Sequence, residues 1–187
     1  MKIINFYRNE KQLIQRSAAG KREAQQRLFD RHAPKMLGVC RRYVRDMHFA
    51  EDVMINGFVK VFQNLESFRF EGSFEGWVRK IMVRECISYL RKQQFVVYDG
   101  ALYEETVQRE QAQPDSMNAE YIELLIDALP EGYRAVFMLY VVEGYKHHEI
   151  ADLLGVTENT SKSQLFKARK LLQEKLREQN IVGYGTE

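Results

Sequence analysis

Apolar residues recur along most of this chain at steps of three and four, and apolar–polar alternation is scarce, so the pattern predicts helices and no sheet. From Lys21 to Val44 the set Leu28, Phe29, Met36, Leu37, Cys40 and Val44 predicts one long helix or two consecutive ones, with Pro34 marking a kink or a new start. After a turn at "RDMHF", Met54, Phe58, Val61, Phe62 and Leu65 fall on one helical face. Gly72 and Gly76 then interrupt the pattern in "SFRFEGSFEG", and a third helix is expected from about Trp77 to Lys92. Further on, "AEYIELLIDAL" predicts a helix, Pro130 opens another through Val142, and two more follow between Tyr145 and Leu172.

Between these sets the periodicity fades. From Val96 to Asn118, Asp99, Glu104, Glu105, Glu110 and Asp115 stand against the single base Arg109, and so long a polar stretch is expected to be a linker. The fold class is therefore all-α: two helical domains, 1–95 and 119–187, joined by a flexible acidic linker at 96–118, with a helix-turn-helix in the second. A length of 187 residues and a hydrophobic share of 45% allow one or two cores.

Composition excludes some functions and leaves others open. The net charge of only +2 does not mark a nucleic-acid binder, so such a reading must rest on where the charges lie. Cys40 and Cys86 lack the paired spacing of a metal knuckle and read as reduced, buried thiols. The apolar stretch in "MKIINFYRNEK" is too short for a secretory signal, and no run approaches the roughly 18 apolar residues of a membrane span. A cytoplasmic protein with no membrane insertion is expected.

The stretch "YKHHEIADLLGVTENTSKSQLFKARKLL", Tyr145 to Leu172, poses a choice between zinc and DNA. A zinc helix needs His-Glu-x-x-His so that both imidazoles reach one ion, but the position that should follow His148 and Glu149 holds Asp152. No metal is expected. As a helix-turn-helix, "HHEIADLL" points Ile150, Ala151 and Leu154 inward, Gly155 makes the left-handed turn and Val156 fills the gap. Thr157 then caps a second helix with Glu158 at its positive end, and Leu165, Ala168 and Leu172 face inward. Asn159, Lys162, Ser163, Gln164, Lys167, Arg169 and Lys170 are left outside, a set of groups suited to base edges and phosphates.

From "ALPEGYRAVFMLYVVEGYKHHEIADLLGVTENTSKSQLFKARKLLQEKL" the second domain resembles the C-terminal domain of bacterial RNA polymerase sigma factors. Leu129, Pro130, Tyr133, Arg134 and Phe137, then Glu143, Gly144, Glu149, Ile150, Ala151 and Gly155, carry the likeness, with Thr160, Lys162, Ser163, Ala168 and Arg169 beyond. Ser161 stands where valine is usual and Gln164 where arginine is. The resemblance implies minus-35 contacts from Thr157, Asn159, Thr160, Lys162, Ser163, Gln164, Lys167 and Arg169.

In the first domain Lys80, Arg84, Ser88 and Arg91 form a stripe along the third helix, with Phe74 and Trp77 at its start. Cations beside aromatic rings suit single-stranded DNA, although Trp77, an aromatic at helical spacing, reads as core before platform. "AEDVMINGFVKVFQNLESFRFEGSFEGWVRKIMVRECISYLRK", Ala50 to Lys92, is similar to domain 2 of the extracytoplasmic-function group of the sigma-70 family. The likeness implies minus-10 contacts from Phe70, Phe74, Trp77, Lys80, Arg84, Ser88 and Arg91, and capture of a flipped base by the loop "FRFEGSFEG". It also implies polymerase binding by Glu51, Asp52, Ile55, Asn56, Lys60 and Gln63. Arg84 stands where asparagine is common, Ser88 where aspartate is, and Ile55 and Asn56 replace glutamine and glutamate.

The resemblance implies a non-catalytic sigma factor with no cofactor. Its expected partners are core RNA polymerase, through the β′ coiled coil and the β flap, promoter DNA, and an anti-sigma factor. Two rival readings are a helix-turn-helix regulator that binds duplex DNA without polymerase, and an enzyme centred on His147 and His148.

Overall fold

In the computed structural model, which describes residues 2–94 and 119–178, every regular element is helical. The expected linker at 96–118 lies outside the described residues. The chain divides into two compact units between Leu90 and Arg91.

The first unit opens with a helix that the apolar pattern does not announce, α1 (Lys2–Ala18). It buries Leu13, Ile14 and Ser17, and the Ser17 hydroxyl donates to the Leu13 carbonyl at 2.8 Å, so its burial leaves no polar atom unsatisfied. Helix α2 (Arg22–Arg41) passes through Pro34 as one helix and presents Leu28, Met36 and Cys40 to the core. Helix α3 (Met47–Gln63) starts where a turn was expected. The Asp46 carboxylate accepts from the Phe49 N–H at 3.1 Å, and this cap carries "MHF" into the helix. A single 3₁₀ turn, Leu65–Ser67, leads to the loop before α4 (Phe74–Gln94). That helix also begins ahead of the expected Trp77, because Ser73 Oγ accepts from the Gly76 N–H at 3.3 Å.

Helices α3 and α4 meet at a glycine. A Cβ at Gly57 would collide with the thioether of Met82, itself fully buried, so the absent side chain lets the helices approach. Cys40 and Cys86 are free and buried. A hydrogen bond between the thiols, then burial, pushes the Cys86 thiol well above the usual range.

In the second unit α5 (Ala119–Asp127) leads to Pro130, the N-cap of α6 (Glu131–Phe137). The helix expected to run to Val142 does so with a change of pitch, widening into a π-helical turn over Met138–Val142. Leu129, Tyr133 and Ala168 form a core with Phe137, Leu171 and Leu172 packed against it. Arg134 is wholly buried, its Nη1 3.9 Å from Asp127 Oδ1. Helices α7 (His147–Leu154) and α8 (Glu158–Glu178) complete the unit.

Candidate nucleic-acid interface

Helix α7 buries Ile150, Ala151 and Leu154 and starts with the Glu149 carboxylate accepting from the Lys146 N–H at 2.7 Å. Gly155 ends it at φ 70°, its N–H donating to the Ala151 carbonyl at 2.9 Å. A side chain at that φ would be strained, so glycine makes the turn. Val156 is half-buried in the gap. The Thr157 hydroxyl accepts from the Thr160 N–H at 3.0 Å and caps α8.

Helix α8 buries Ser161, Leu165 and Ala168, while Leu172 is half-buried. Asn159, Lys162, Ser163, Lys167, Arg169 and Lys170 are exposed, as the pattern predicts. Thr160 is half-buried and Gln164 lies partly covered, its amide against Gly132. Lys162 reaches back to Glu158 at 2.7 Å, and that hydrogen bond together with the lysine charge holds the Glu158 carboxyl below the usual range. Lys167 Nζ sits 5.9 Å above the Tyr133 ring, and the Arg169 guanidinium 5.7 Å from the Tyr140 ring centre.

The two histidines have separate surroundings. His147 stacks on Tyr140 with ring centroids 4.6 Å apart, and its Nδ1 lies 2.9 Å from Ser161 Oγ. His148 is exposed at the start of α7. Among the described residues no group of three His, Cys, Asp or Glu side chains stands where it could hold a metal ion.

Lys80, Arg84, Ser88 and Arg91 are exposed along α4. The aromatic residues at its start divide into three situations. Phe74 is 4% exposed and packs edge-on against His32. Trp77 is half-buried, stacked on Phe74 and 5.5 Å from Phe68. Phe70 is exposed with φ 59°, a left-handed backbone uncommon for a side chain of this size, and Lys11 Nζ lies 5.2 Å from its ring centre.

A cleft of about 570 Å³ opens between this loop and the α1–α2 pair. Phe68, Phe70 and Phe74 line it together with Glu10, Lys11, Arg31, His32 and Glu75. His32 Nε2 is 3.6 Å from Glu10 Oε1 and has no hydrogen-bond partner. Burial lowers the His32 pKa; the Glu10 charge opposes that shift.

The outer face of α3 exposes Glu51, Asp52, Ile55, Asn56, Lys60 and Gln63 together, with Val59 among them. Ile55 and Val59 are each about half exposed, and Lys60 pairs with Glu85 of α4 at 2.5 Å.

Residues 28–96 match the family model for sigma-70 region 2, and residues 119–172 the model for sigma-70 region 4, together well over half the chain. The chain is 27% identical over 177 residues to the ECF RNA polymerase sigma-E factor of Haemophilus influenzae, covering 88% of this chain and 93% of that protein. It is 28% identical over 140 residues to RNA polymerase sigma factor SigV of Bacillus subtilis, covering 74% and 82% respectively. The chain belongs to the sigma-70 family, in its extracytoplasmic-function group. Its function is that of a sigma factor in transcription initiation. Among solved structures it is similar to the sigma factor RpoE from a complex with the anti-sigma factor NepR of Bartonella quintana, at 23% identity, covering 81% of this chain and 96% of that one, with a TM-score of 0.48.

Three features of this sigma factor escaped the reading of its sequence. Phe166 is 69% exposed among Asn159, Lys162, Ser163 and Lys170 on α8; an aromatic at helical spacing reads as core, and only its offset from Leu165 and Ala168 could have signalled otherwise. Glu10 and His32 come from separate helices, and no local motif joins them. Ser161, which departs from the family's valine, keeps a hydroxyl in the core because His147 supplies its partner.

Proposed function

We propose that this sigma factor binds core RNA polymerase and directs it to promoters by reading duplex DNA at minus-35 and melted DNA at minus-10. Residues 119–187 form the domain that lays α8 in the major groove, where Asn159, Ser163 and Gln164 meet base edges and Lys162, Lys167 and Arg169 meet phosphates. Residues 1–95 form the domain that holds the β′ coiled coil through the outer face of α3 and takes the opened strand along Lys80, Arg84, Ser88 and Arg91. Residues 96–118 connect them, and the second domain meets the β flap.

The observation that supports this reading best is the division of α8. Ser161, Leu165 and Ala168 are buried, whereas Asn159, Lys162, Ser163, Phe166 and Lys170 present an amide, a hydroxyl, an aromatic ring and two cations to solvent. Such a mixture suits a groove lined by donors, acceptors and thymine methyls within a charged backbone. The protein works in the cytoplasm, where polymerase supplies the catalysis and an anti-sigma factor restrains it. Among the described residues no helix is long and apolar enough to cross a membrane.

The test is run-off transcription by core polymerase on a pooled promoter library, with and without the protein. New start sites sharing two spaced upstream elements are expected. Specific duplex binding by the free protein without new transcripts would instead favour a regulator that acts apart from polymerase.

A further inference from the structure

We propose that Tyr140 is a positioning residue for the second domain's hold on duplex DNA: its ring keeps the Arg169 guanidinium ready for a phosphate. This rests on the proposal that Arg169 meets the DNA backbone at minus-35.

Four side chains form a series that leaves α8 and returns to it. The buried Ser161 hydroxyl lies 2.9 Å from His147 Nδ1, and the His147 ring stacks on Tyr140 with centroids 4.6 Å and planes 25° apart. The Tyr140 ring centre is in turn 5.7 Å from the Arg169 guanidinium. From Ser161 to Arg169 the helix advances about 12 Å, roughly two turns, so the series braces α8 from outside through the first residue of α7 and the π turn. His147 fixes the ring, and Ser161 fixes His147. Tyr140 nevertheless remains 36% exposed, which leaves part of the ring at the surface where Arg169 meets it.

Two other cations of this helix are held differently. Lys162 pairs with Glu158 at 2.7 Å, and Lys170 Nζ lies 3.8 Å from Glu174. A carboxylate offsets the lysine charge, and that pairing must be given up when a phosphate is met. The Tyr140 ring attracts a cation through its quadrupole yet has no net charge, so Arg169 stays fully cationic toward the DNA. A guanidinium already confined by a ring also loses less rotamer freedom on binding.

The test is a double-mutant cycle with the full chain loaded on core polymerase, measuring affinity for a duplex promoter found by the run-off experiment. Arg169→Ala should weaken binding about tenfold and lower the salt slope by about one. Tyr140→Leu, which keeps apolar bulk and loses the ring, should weaken it about threefold, the scale of a surface cation–π contact, whereas Tyr140→Phe should keep the affinity. In the Arg169→Ala background Tyr140→Leu should have no further effect. A ring that served the fold alone would cost the same with or without Arg169, and that outcome overturns the inference. If Arg169→Ala itself changes neither affinity nor slope, Arg169 meets no phosphate, and the reading beneath the inference fails together with it. The unaltered protein supplies a check that is independent of how Tyr140→Leu folds. In NMR relaxation the Arg169 Nε–H should be restrained, and an order parameter below about 0.6, that of a flexible group, overturns the inference.

Discussion

The imidazole Nδ1 of His147, in the first turn of α7, and the buried hydroxyl of Ser161, in α8, lie 2.9 Å apart and join the two helices of the DNA-reading motif. Removing His147 strands the buried Ser161 hydroxyl, and removing Ser161 leaves the half-buried His147 Nδ1 without its partner. Ser161→Ala or His147→Ala should each destabilise the second domain by about 1 kcal/mol. Ser161→Val with His147→Phe removes both polar groups and should recover most of that loss, giving a clear coupling energy in a double-mutant cycle of urea unfolding. Additive losses would show that the pair contributes nothing jointly.

Gly57→Ala tests how α3 and α4 meet. The new methyl has no room beside the buried Met82 thioether, so repacking should cost about 1–3 kcal/mol. Thermal melts should show the first domain unfolding earlier while the second is unchanged.

The exposed face of α8 makes separable predictions. Lys162→Ala should lower affinity for all duplexes and reduce the salt slope of binding by about one, because a phosphate contact is indifferent to sequence. Phe166→Ala should cost most at sites with a thymine methyl against the ring and little elsewhere. Competition binding with thymine-to-uracil duplexes, which lack that methyl, reads the difference directly.

His32 makes the first domain sensitive to acid. Its folded pKa is lowered by burial, so the unfolded chain binds a proton that the folded one resists. The stability it contributes is present above the ordinary histidine range near 6.5 and is lost as pH falls through the folded value. Unfolding free energy should decline with acidification below about pH 6.5, and His32→Phe should flatten that part of the curve in urea titrations.

Much of this architecture is legible in the sequence because helices with one buried face repeat at a fixed step. Leu28, Met36, Phe58 and Val61 announce their faces, and Gly155 and Thr157 announce the turn and cap that the structure contains. Helix starts are less legible where one side chain decides them: Asp46 and Ser73 each move a helix ahead of its apolar pattern. The cleft is hardest to read, since Glu10, His32 and Phe70 meet only after three segments pack. Phe74 shows the converse difficulty: its place at the head of the cationic stripe gives no sign that its ring meets those of His32 and Phe68.

The wide turn at Met138–Val142 has an evolutionary consequence. A π turn behaves as a helix holding one residue too many, and deleting one would restore the ordinary ladder. Such a deletion would rotate the following residues by about a hundred degrees and displace Tyr140 from the His147 ring on which it now stacks. His147 would lose its platform, and Arg169 the ring it now covers. The surplus residue thus ties the seating of α8 to a segment outside the helix-turn-helix, and chain length at this point becomes as much a determinant of how that helix is held as the identity of any side chain beneath it.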